Sequence, residues 1–282
     1  MTSVLVLIAA PNSGAITAEV IAEVGSSPKW LAAGEAAEFE NYPANIKQKF
    51  SQLPIDVNIV PKANRRKKLL IADMDSTMIH QECIDELGVM AGVGDHIKDI
   101  TARAMRGELN FESALKERVG LLKNLDESVI AELIRTRITF MEGSNILLNT
   151  MKANGAYAAL VSGGFTAFTA HVAERLGFDE NRANSLLVVG GKLTGEVAMP
   201  ILGKQAKVES LHRICTARSI SLSDSIAVGD GANDIPMLLE AGMGVALHAK
   251  PKVQDEAPYV INYGDLTALL YLQGYQKREF KI

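Results

Sequence analysis

The N-terminal part of the chain combines short apolar runs with stretches in which apolar residues recur at helical spacing. Apolar runs such as residues 4–8 are typical of buried strands, whereas the spacing in residues 15–24 favours a helix. The pattern predicts strands at residues 4–8, 30–32, 37–40 and 55–60, and helices at residues 15–24 and 45–52. This βαββαβ order is typical of a small ferredoxin-like α+β module. The alanine-rich residues 31–37 are equally compatible with a helix.

From residue 69 onward, strand and helix patterns alternate. Strands are predicted at residues 69–73, 157–161, 225–229, 244–246 and 259–261, and helices between them at residues 165–176, 205–217 and 234–241. Such alternation predicts a parallel sheet with helices on both faces, which is a Rossmann-like, doubly wound α/β fold.

One connection in this region is much too long for an ordinary crossover. Residues 84–154 separate the first two predicted strands and are almost wholly helical in pattern. We therefore interpret residues 83–140 as a helical cap that is inserted over the edge of the sheet. A second interruption, residues 186–197, has Gly190-Gly191 between two β-prone runs, which predicts a hairpin.

The composition changes most sharply at residues 61–68, where a polar, basic segment separates two apolar runs. Charges that lead into a strand are usually solvated, so we interpret this segment as an exposed connection between domains. A targeting or anion-binding patch is the alternative. The expected division is a module with its linker at residues 1–64, followed by a capped α/β domain at residues 65–282.

Composition and charge exclude several classes of protein. With 282 residues, of which 48% are hydrophobic, the chain has material for a sizeable core and is not a disordered protein. The 29 Lys+Arg against 33 Asp+Glu give a formal net charge of −4, which argues against a nucleic-acid binder but allows a small anionic substrate. Cys83 and Cys215 are too few for a disulfide framework, which favours a cytoplasmic setting. A membrane protein is not expected, because no apolar run approaches the roughly 18 residues of a spanning helix.

Acidic and small polar residues follow several of the predicted strands at the points where those strands end. Asp73 and Asp75 follow the first strand of the sheet, and Asp230 follows the third. Ser162-Gly163-Gly164 come after the second strand and are expected to open a helix, where backbone N–H groups suit a phosphate. Each segment alone can be an ordinary turn or helix cap, and Lys207 a solvated surface charge. Their joint occurrence at one edge of a parallel sheet predicts a ligand site.

These residues together suit phosphoryl transfer. Carboxylates without a His or Cys cluster favour Mg²⁺ over zinc. One aspartate can attack phosphorus to form an aspartyl-phosphate, while another acts as general acid and then as base. We assign the attack to Asp73, which ends a rigid strand, and the acid role to Asp75, which can reach the leaving group from the loop. Lys207 and the glycine N–H groups would stabilise the phosphoryl oxygens.

The ordered motifs resemble those of the haloacid dehalogenase-like phosphatases over residues 68–272. They are Asp73-Met74-Asp75-Ser76-Thr77, Ser162-Gly163-Gly164, Lys207 and Gly229-Asp230-Gly231-Ala232-Asn233-Asp234. Within that family the chain is most similar to the phosphoserine phosphatases. The narrower similarity rests on Glu82, Gly107-Glu108-Leu109-Asn110-Phe111, Glu117-Arg118-Val119, Ser162-Gly163-Gly164-Phe165 and Gly190-Gly191-Lys192-Leu193-Thr194-Gly195.

The resemblance implies the catalytic and metal-binding roles at the sheet edge. Asp73 is implied as the nucleophile and Asp75 as the proton donor. Mg²⁺ is implied to bind the Asp73 carboxylate, the Asp75 main-chain carbonyl and the Asp230 carboxylate. The residues implied to hold phosphate and substrate are Ser162, Gly163, Lys207 and Asn233.

The resemblance also implies roles for residues in and near the cap. Glu82 and Arg118 would recognise the substrate amino acid, whose ammonium and carboxylate carry the complementary charges. Without the resemblance, both would be interpreted as ordinary helix charges. Asp234 would support the metal or the lysine, and Phe111 would either close over the substrate or pack in the cap core.

The activity implied by the resemblance is the Mg²⁺-dependent hydrolysis of O-phospho-L-serine to L-serine and phosphate, the final step of serine biosynthesis. Another small phosphate ester, such as phosphothreonine or homoserine phosphate, is the first alternative substrate. The N-terminal module is similar to the ACT-like extensions of some family members, which serve dimerisation or amino-acid sensing. A homodimer, and a regulatory protein in which catalysis is secondary, are therefore also considered.

Overall fold

A computed structural model describes residues 2–105 and 108–282. Gly107, which belongs to one of the motifs above, lies outside the described residues. Three sheets of four, six and two strands organise the described part of the chain. Among its helices, none combines the length and the apolar composition needed to cross a membrane.

The N-terminal part folds as a four-stranded antiparallel sheet with two helices. Its elements are β1 (Ser3–Ala9), α1 (Ala18–Val24), β2 (Lys29–Ala32), β3 (Ala36–Phe39), α2 (Ile46–Lys49) and β4 (Ile55–Pro61). The strand order β2-β3-β1-β4 is that of a ferredoxin-like sheet, so the predicted βαββαβ module is confirmed. The alanine-rich segment forms the β2–β3 hairpin and not a helix, because Ala36 and Ala37 are buried in the pairing with β1.

The remaining chain builds the larger sheet, its helices and a small hairpin. The elements are β5 (Leu69–Ala72), α3 (Cys83–Met90), α4 (Gly94–Met105), α5 (Phe111–Gly120), α6 (Ser128–Thr136), α7 (Ser144–Ala153), β6 (Tyr157–Phe165), α8 (Thr166–Leu176), β7 (Glu180–Asn184), β8 (Leu186–Val189), β9 (Lys192–Val197), α9 (Lys204–Arg218), β10 (Ser225–Gly229), α10 (Ile235–Glu240), β11 (Met243–Leu247), α11 (Pro251–Glu256), β12 (Tyr259–Ile261) and α12 (Ala268–Leu272). Six parallel strands in the order β12-β11-β10-β5-β6-β7 confirm the predicted α/β fold.

Strand β5 lies inside this sheet and is covered on both sides. Leu70 and Ala72 belong to the apolar cluster on one face, and Leu69 and Ile71 belong to the cluster on the other. All four side chains are fully buried, as expected of a parallel strand between two layers of helices. The residue that follows β5, Asp73, is therefore held by a rigid base.

The sequence does not predict strand β7. Its five residues, Glu-Asn-Arg-Ala-Asn, contain no apolar run. The strand forms because it pairs in parallel with β6, where Ala159 is opposite Glu180, at the edge of the sheet. Tertiary pairing thus outweighs the local pattern.

Helices α3 to α6 occupy the connection where the sequence predicts an inserted cap. The hairpin of β8 and β9 turns at Gly190 and Gly191, whose φ angles of 58° and 76° are those of a tight hairpin turn. Main-chain hydrogen bonds join this hairpin to the cap, since the Glu127 N–H donates to the Gly191 carbonyl at 2.9 Å. The exact bounds of the cap, and the division of the chain between residues 64 and 65, stay predictions.

Most of the basic segment before β5 is exposed, as predicted, but the interpretation as solvated is wrong for two of its charges. Arg65 and Lys67 are buried. Arg65 pairs with the buried Glu38 of β3, and Lys67 Nζ donates to the carbonyl of Ser223 at 2.7 Å. The segment therefore lies in the contact between the N-terminal sheet and the rest of the chain.

Asp56 on β4 makes a buried polar contact with the segment that follows β12. Its carboxylate accepts hydrogen bonds from the main-chain N–H groups of Asn262, Tyr263 and Gly264 at 2.6 to 3.2 Å, and the residue is 4% exposed. Burial raises the pKa of Asp56, and the three N–H donors oppose that shift. The N-terminal sheet is thus bound to the segment after β12 by a buried charge.

Replacement of this carboxylate should destabilise the protein. In Asp56→Ala, three main-chain N–H groups lose their acceptor, so we expect the free energy of unfolding to fall by about 3 kcal/mol. Urea denaturation measures it. The exposed Asp255 provides a control, because Asp255→Ala should change the value by less than about 0.5 kcal/mol. Equal stability of both variants would contradict the inferred role of Asp56.

Candidate active site

Three strand ends bring the predicted residues to one edge of the parallel sheet. Asp73 follows β5, Asp230 follows β10, and Ser162 lies in the last part of β6. Because β5 lies between β10 and β6, the three residues are neighbours across the sheet. The Asp73 N–H donates to the Val228 carbonyl at 3.0 Å, which extends the pairing of β5 with β10 by one residue and fixes the Asp73 backbone.

Lys207 is buried between two carboxylates. Its Nζ lies 2.7 Å from Asp73 Oδ1 and 2.5 Å from Asp234 Oδ1, and its side chain is 1% exposed. Burial alone would lower the pKa of this ammonium, but the carboxylates of Asp234 and Asp73 outweigh burial and raise the pKa. The alternative, in which Lys207 is a solvated surface charge, is therefore excluded.

Asp234 connects this lysine to the loop after β10. Its second carboxylate oxygen, Oδ2, accepts a hydrogen bond from the Gly231 N–H at 3.0 Å. Burial and the repulsion from Asp73 raise the pKa of Asp234, while the Lys207 ammonium opposes them. Asp234 is thus placed to hold the lysine and the loop in one fixed relation.

Asp73, Asp230 and Asp234 form a cluster that could bind a metal ion. One carboxylate oxygen of each lies within 4.8 Å of those of the other two. The buried Thr77 Oγ1 donates to Asp230 Oδ1 at 3.0 Å and so fixes the orientation of that carboxylate. Burial, together with repulsion from Asp73 and Glu82, raises the pKa of Asp230 to about 6.

The cluster fits a divalent cation on two further grounds. Within the described residues, the buried Asp73 Oδ1 accepts no well-aligned hydrogen bond, although the ammonium of Lys207 lies close to it. All donors in the cluster are carboxylate oxygens, which suit a hard ion. A bound cation would also offset the repulsion that raises the pKa of Asp230.

Asp75 lies on the loop beyond Asp73 and points toward β6. Its Oδ1 accepts a hydrogen bond from the Cys83 N–H at 3.1 Å, and its Oδ2 lies 3.5 Å from Ser162 Oγ. Burial and repulsion from Glu82 raise the pKa of Asp75 to about 7. This shift favours the protonated form, which is the form that a general acid needs.

The helix predicted at residues 165–176 is confirmed as α8, but strand β6 extends through Ser162-Gly163-Gly164 and does not end at Val161 as predicted. The pairing of β6 with β7 shifts between Val161 and Phe165, and α8 begins only at Thr166. The segment is extended and passes close to the loop after β5. A Cβ on Gly164 would lie 2.7 Å from Asp75 Oδ2, so this approach requires glycine.

Glu82 and Arg118 approach the same cleft from the cap. The Glu82 Oε1 accepts a hydrogen bond from Ser76 Oγ at 2.8 Å, and Arg118 Nε donates to the Ala114 carbonyl at 3.2 Å. Although Glu82 is exposed at the rim, loss of hydration in the cleft raises its pKa. The same effect lowers the pKa of Arg118, and the nearby Asp85 and Glu82 oppose that shift. Glu82, at the N-cap of α3, and Arg118, on α5, therefore place one anion and one cation near each other, with Glu82 also close to the carboxylate cluster.

Phe111, at the start of α5, contacts the sheet side of the cleft. A Cβ on Gly163 would lie 3.1 Å from the Phe111 Cζ, and a Cβ on Gly203 would lie 3.2 Å from its Cδ1. The ring thus rests on two glycines and also packs against the larger apolar cluster. Asn233 lies on the loop after β10, where its Oδ1 is next to Gly231.

Sequence reasoning assigned no role to two polar residues that the structure places in this site. Thr77 lies within a quoted motif, so its position next to the aspartates was a usable signal. Asn184, on the unpredicted strand β7, donates to the Gly163 carbonyl at 2.8 Å. No local pattern could have found Asn184, because its partners are distant in sequence.

Comparison with known families identifies related proteins. Residues 70–239 match the family model of the haloacid dehalogenase-like hydrolases. A phosphoserine phosphatase of Streptomyces coelicolor is 41% identical over 229 residues, which are 80% of this chain and 56% of that protein. One of Methanocaldococcus jannaschii is 43% identical over 206 residues, which are 73% of this chain and 97% of that protein. This chain therefore spans little more than half of the Streptomyces relative.

A solved structure resembles nearly the whole chain. The crystal structure of a probable phosphoserine phosphatase from Vibrio cholerae, in unliganded form, superposes with a TM-score of 0.82 at 30% sequence identity. The match covers 99% of this chain and 88% of that one. The likeness thus includes the N-terminal sheet as well as the parallel sheet.

Removal of the buried ammonium should destabilise the protein strongly. In Lys207→Met, the carboxylates of Asp73 and Asp234 lose their shared cation, so we expect the free energy of unfolding to fall by about 3 kcal/mol or more at neutral pH. Urea denaturation without added metal measures this. Lys204 lies exposed on the same helix, and Lys204→Met should change the value by less than about 0.5 kcal/mol. A Lys207→Met protein as stable as this control would refute the role of the ion pair.

Proposed function

This chain belongs to the haloacid dehalogenase-like hydrolases, and on that basis we propose that it hydrolyses O-phospho-L-serine to L-serine and phosphate. The observation that carries the proposal is the arrangement of two charged sides around one cleft. Asp73, Asp75 and Lys207 form the side suited to a phosphoryl group. Glu82 and Arg118 form the side suited to an amino acid.

The first step is transfer of the phosphoryl group to Asp73. The substrate phosphate is held by Lys207, the Ser162 hydroxyl and the Gly163 N–H, with Asn233 beside it. A carboxylate oxygen of Asp73 attacks phosphorus, and the bond between phosphorus and the serine oxygen breaks. Asp75 gives its proton to that oxygen, so L-serine leaves as a neutral alcohol and an aspartyl-phosphate remains. The pKa of about 7 for Asp75 supports this role.

The second step is hydrolysis of the aspartyl-phosphate. Asp75, now deprotonated, accepts a proton from a water molecule as the water oxygen attacks phosphorus. The bond between phosphorus and the Asp73 oxygen breaks, which restores the carboxylate and releases phosphate. Lys207 contacts Asp73 directly and stabilises negative charge in both steps, because its ammonium remains protonated.

We propose Mg²⁺ as the ion, bound by the carboxylates of Asp73 and Asp230 and by the main-chain carbonyl of Asp75. Bound there, it would offset the repulsion between the Asp73 carboxylate and the substrate phosphate. The aligned Asp230 carboxylate supports this assignment, since Thr77 holds it in place. We assign Asp234 to holding Lys207 in place, because its Oδ1 lies 2.5 Å from the lysine ammonium.

Recognition of the amino acid is assigned to the cap. Glu82 would bind the substrate ammonium, and Arg118 would bind its carboxylate through the planar guanidinium. Phe111 would cover the phosphate end of the substrate, since its ring already rests on Gly163. Substrates without the amino-acid group would lose these contacts but keep those of the phosphate.

We further propose that the reaction is the final step of serine biosynthesis and takes place in the cytoplasm. Both cysteines are free and buried, which agrees with a reducing compartment. The partner is a small molecule, without nucleic acid or membrane. The homodimer and the sensing role of the N-terminal module stay predictions.

The proposed activity is tested directly by phosphate release from phosphoserine. With Mg²⁺ the purified protein should release phosphate, and with a chelator in place of Mg²⁺ it should not. Asp73→Asn should lower kcat by about three orders of magnitude or more, because the amide is not a nucleophile. Full turnover by Asp73→Asn, or no phosphate release by the wild-type protein, would overturn the proposal. A panel with phosphothreonine and homoserine phosphate separates phosphoserine from the alternative substrates.

The assignment of Arg118 predicts a loss that depends on the substrate. Arg118→Ala removes a charged hydrogen-bond donor and should lower kcat/KM for phosphoserine about 10- to 100-fold. Hydrolysis of p-nitrophenyl phosphate, which has no amino-acid group, should change less than about threefold. Lys116→Ala, on the exposed side of the same helix, is the matched control and should leave both substrates unaffected. Equal losses on both substrates would count against recognition by Arg118.

A further inference from the structure

Asn184 connects two segments of the site that are distant in sequence. It is the last residue of β7 and is 2% exposed. Its Nδ2 donates to the Gly163 carbonyl at 2.8 Å and to the Leu202 carbonyl at 3.2 Å, and its Oδ1 accepts from the Leu202 N–H at 2.7 Å. Both amide hydrogens and the carbonyl oxygen are thus used on main-chain partners, which also fixes the orientation of the amide.

The first of these contacts orients the end of β6, which faces Asp75. In a trans peptide the carbonyl and the following N–H point in opposite directions. Asn184 holds the Gly163 carbonyl on one side, and on the other side the Gly164 N–H donates to Ser162 Oγ at 2.9 Å. The position of the Ser162 hydroxyl, 3.5 Å from Asp75 Oδ2, therefore depends on a peptide that is held at both ends.

The other two contacts fix the approach to helix α9. Leu202 precedes Gly203, which is the N-cap of α9, and Lys207 lies in the first turn of that helix. By holding both the N–H and the carbonyl of Leu202, Asn184 determines where α9 begins. The place of the Lys207 ammonium between its two carboxylates depends on that starting point.

Phe111 contacts both segments that Asn184 joins. Its ring lies against Gly163 in the first and against Gly203 in the second. A change in the distance between these two segments would therefore alter the contacts of Phe111 with Gly163 and Gly203. Asn184 itself lies behind that surface and is not among the groups expected to touch the substrate.

We propose that Asn184 is a positioning residue for phosphate: it sets the distance and orientation between the Ser162–Gly163 segment of β6 and the helix that carries Lys207. The inference rests on the proposed function, in which these groups hold the phosphoryl group. It predicts that loss of the Asn184 amide weakens phosphate binding by the folded protein, and does not merely lower its stability.

The test measures binding of inorganic phosphate to the full chain in the presence of Mg²⁺. Two variants are compared with the wild-type protein by calorimetry, well below their melting temperatures. Asn184→Ala removes the three hydrogen bonds, and the nearly isosteric Asn184→Asp places a carboxylate oxygen opposite two carbonyls. We expect the phosphate Kd to rise about tenfold or more in both variants, which corresponds to about 1.4 kcal/mol. KM for p-nitrophenyl phosphate should rise in parallel.

A matched control lies on the same strand. Asn181 is an exposed amide on β7, whose Oδ1 accepts a hydrogen bond from Thr169 outside the site. Asn181→Ala should leave the phosphate Kd within twofold of the wild-type value. If Asn184→Ala does not fold, Asn184→Ser, which keeps a short polar side chain, takes its place in the comparison.

The outcomes separate this inference from the proposed function. A Kd within twofold of wild type in the folded Asn184 variants, whatever their melting temperatures, would overturn the positioning role alone. An equal rise of the phosphate Kd in Asn181→Ala would also overturn it, since the effect would then come from any change in β7 and not from the Asn184 amide. If the wild-type protein binds phosphate and hydrolyses p-nitrophenyl phosphate but not phosphoserine, the proposed substrate fails while the Asn184 comparison still decides the inference.

Discussion

The repulsion among carboxylates at one sheet edge is the constraint on which the rest of the site depends. Asp73, Asp230 and Asp234 place oxygens within 4.8 Å of one another in a buried setting, where isolated charges are costly. Lys207 offsets part of this repulsion, and its complete burial is explained by that task. Burial and the remaining repulsion from Asp73 and Glu82 raise the pKa of Asp230, and a cation bound to the cluster would offset that repulsion. The same buried charges therefore affect both the stability of the fold and the proposed binding of metal and phosphate.

The same crowding divides the work between Asp73 and Asp75. Asp73 lies beside the Lys207 ammonium, which holds the carboxylate that is to attack phosphorus. Asp75 has no such cation beside it within the described residues, and burial with repulsion from Glu82 raises its pKa to about 7. Two chemically identical side chains, two positions apart, thus lie in different electrostatic surroundings, one beside a cation and the other beside an anion. This difference gives the sequence-based choice of nucleophile a physical basis.

Sequence patterns predicted those parts of the molecule that depend on local spacing. The apolar run of β5 and the aspartates that follow it predicted where the site lies, because a buried strand and its end can both be recognised from local sequence. The predictions that were wrong concern residues whose surroundings are set by distant partners. Arg65 and Lys67 were interpreted as solvated charges, yet both are buried by contacts with residues distant in sequence. Strand β7 and its Asn184 have no local signal, since pairing with β6 creates the strand.

The contact between the two sheets bears on how the N-terminal module can act. Val4, Val6 and Ile8 of β1 belong to the same apolar cluster as the catalytic core, and Asp56 is buried against the segment after β12. A fragment of residues 1–64 alone would expose this apolar face and leave the Asp56 carboxylate without its N–H donors. Failure of such a fragment to bind an amino acid would therefore say little about the intact protein. Any sensing role has to be sought in the full chain, where β12 and β11 lie between the module and the strand that leads to Asp230.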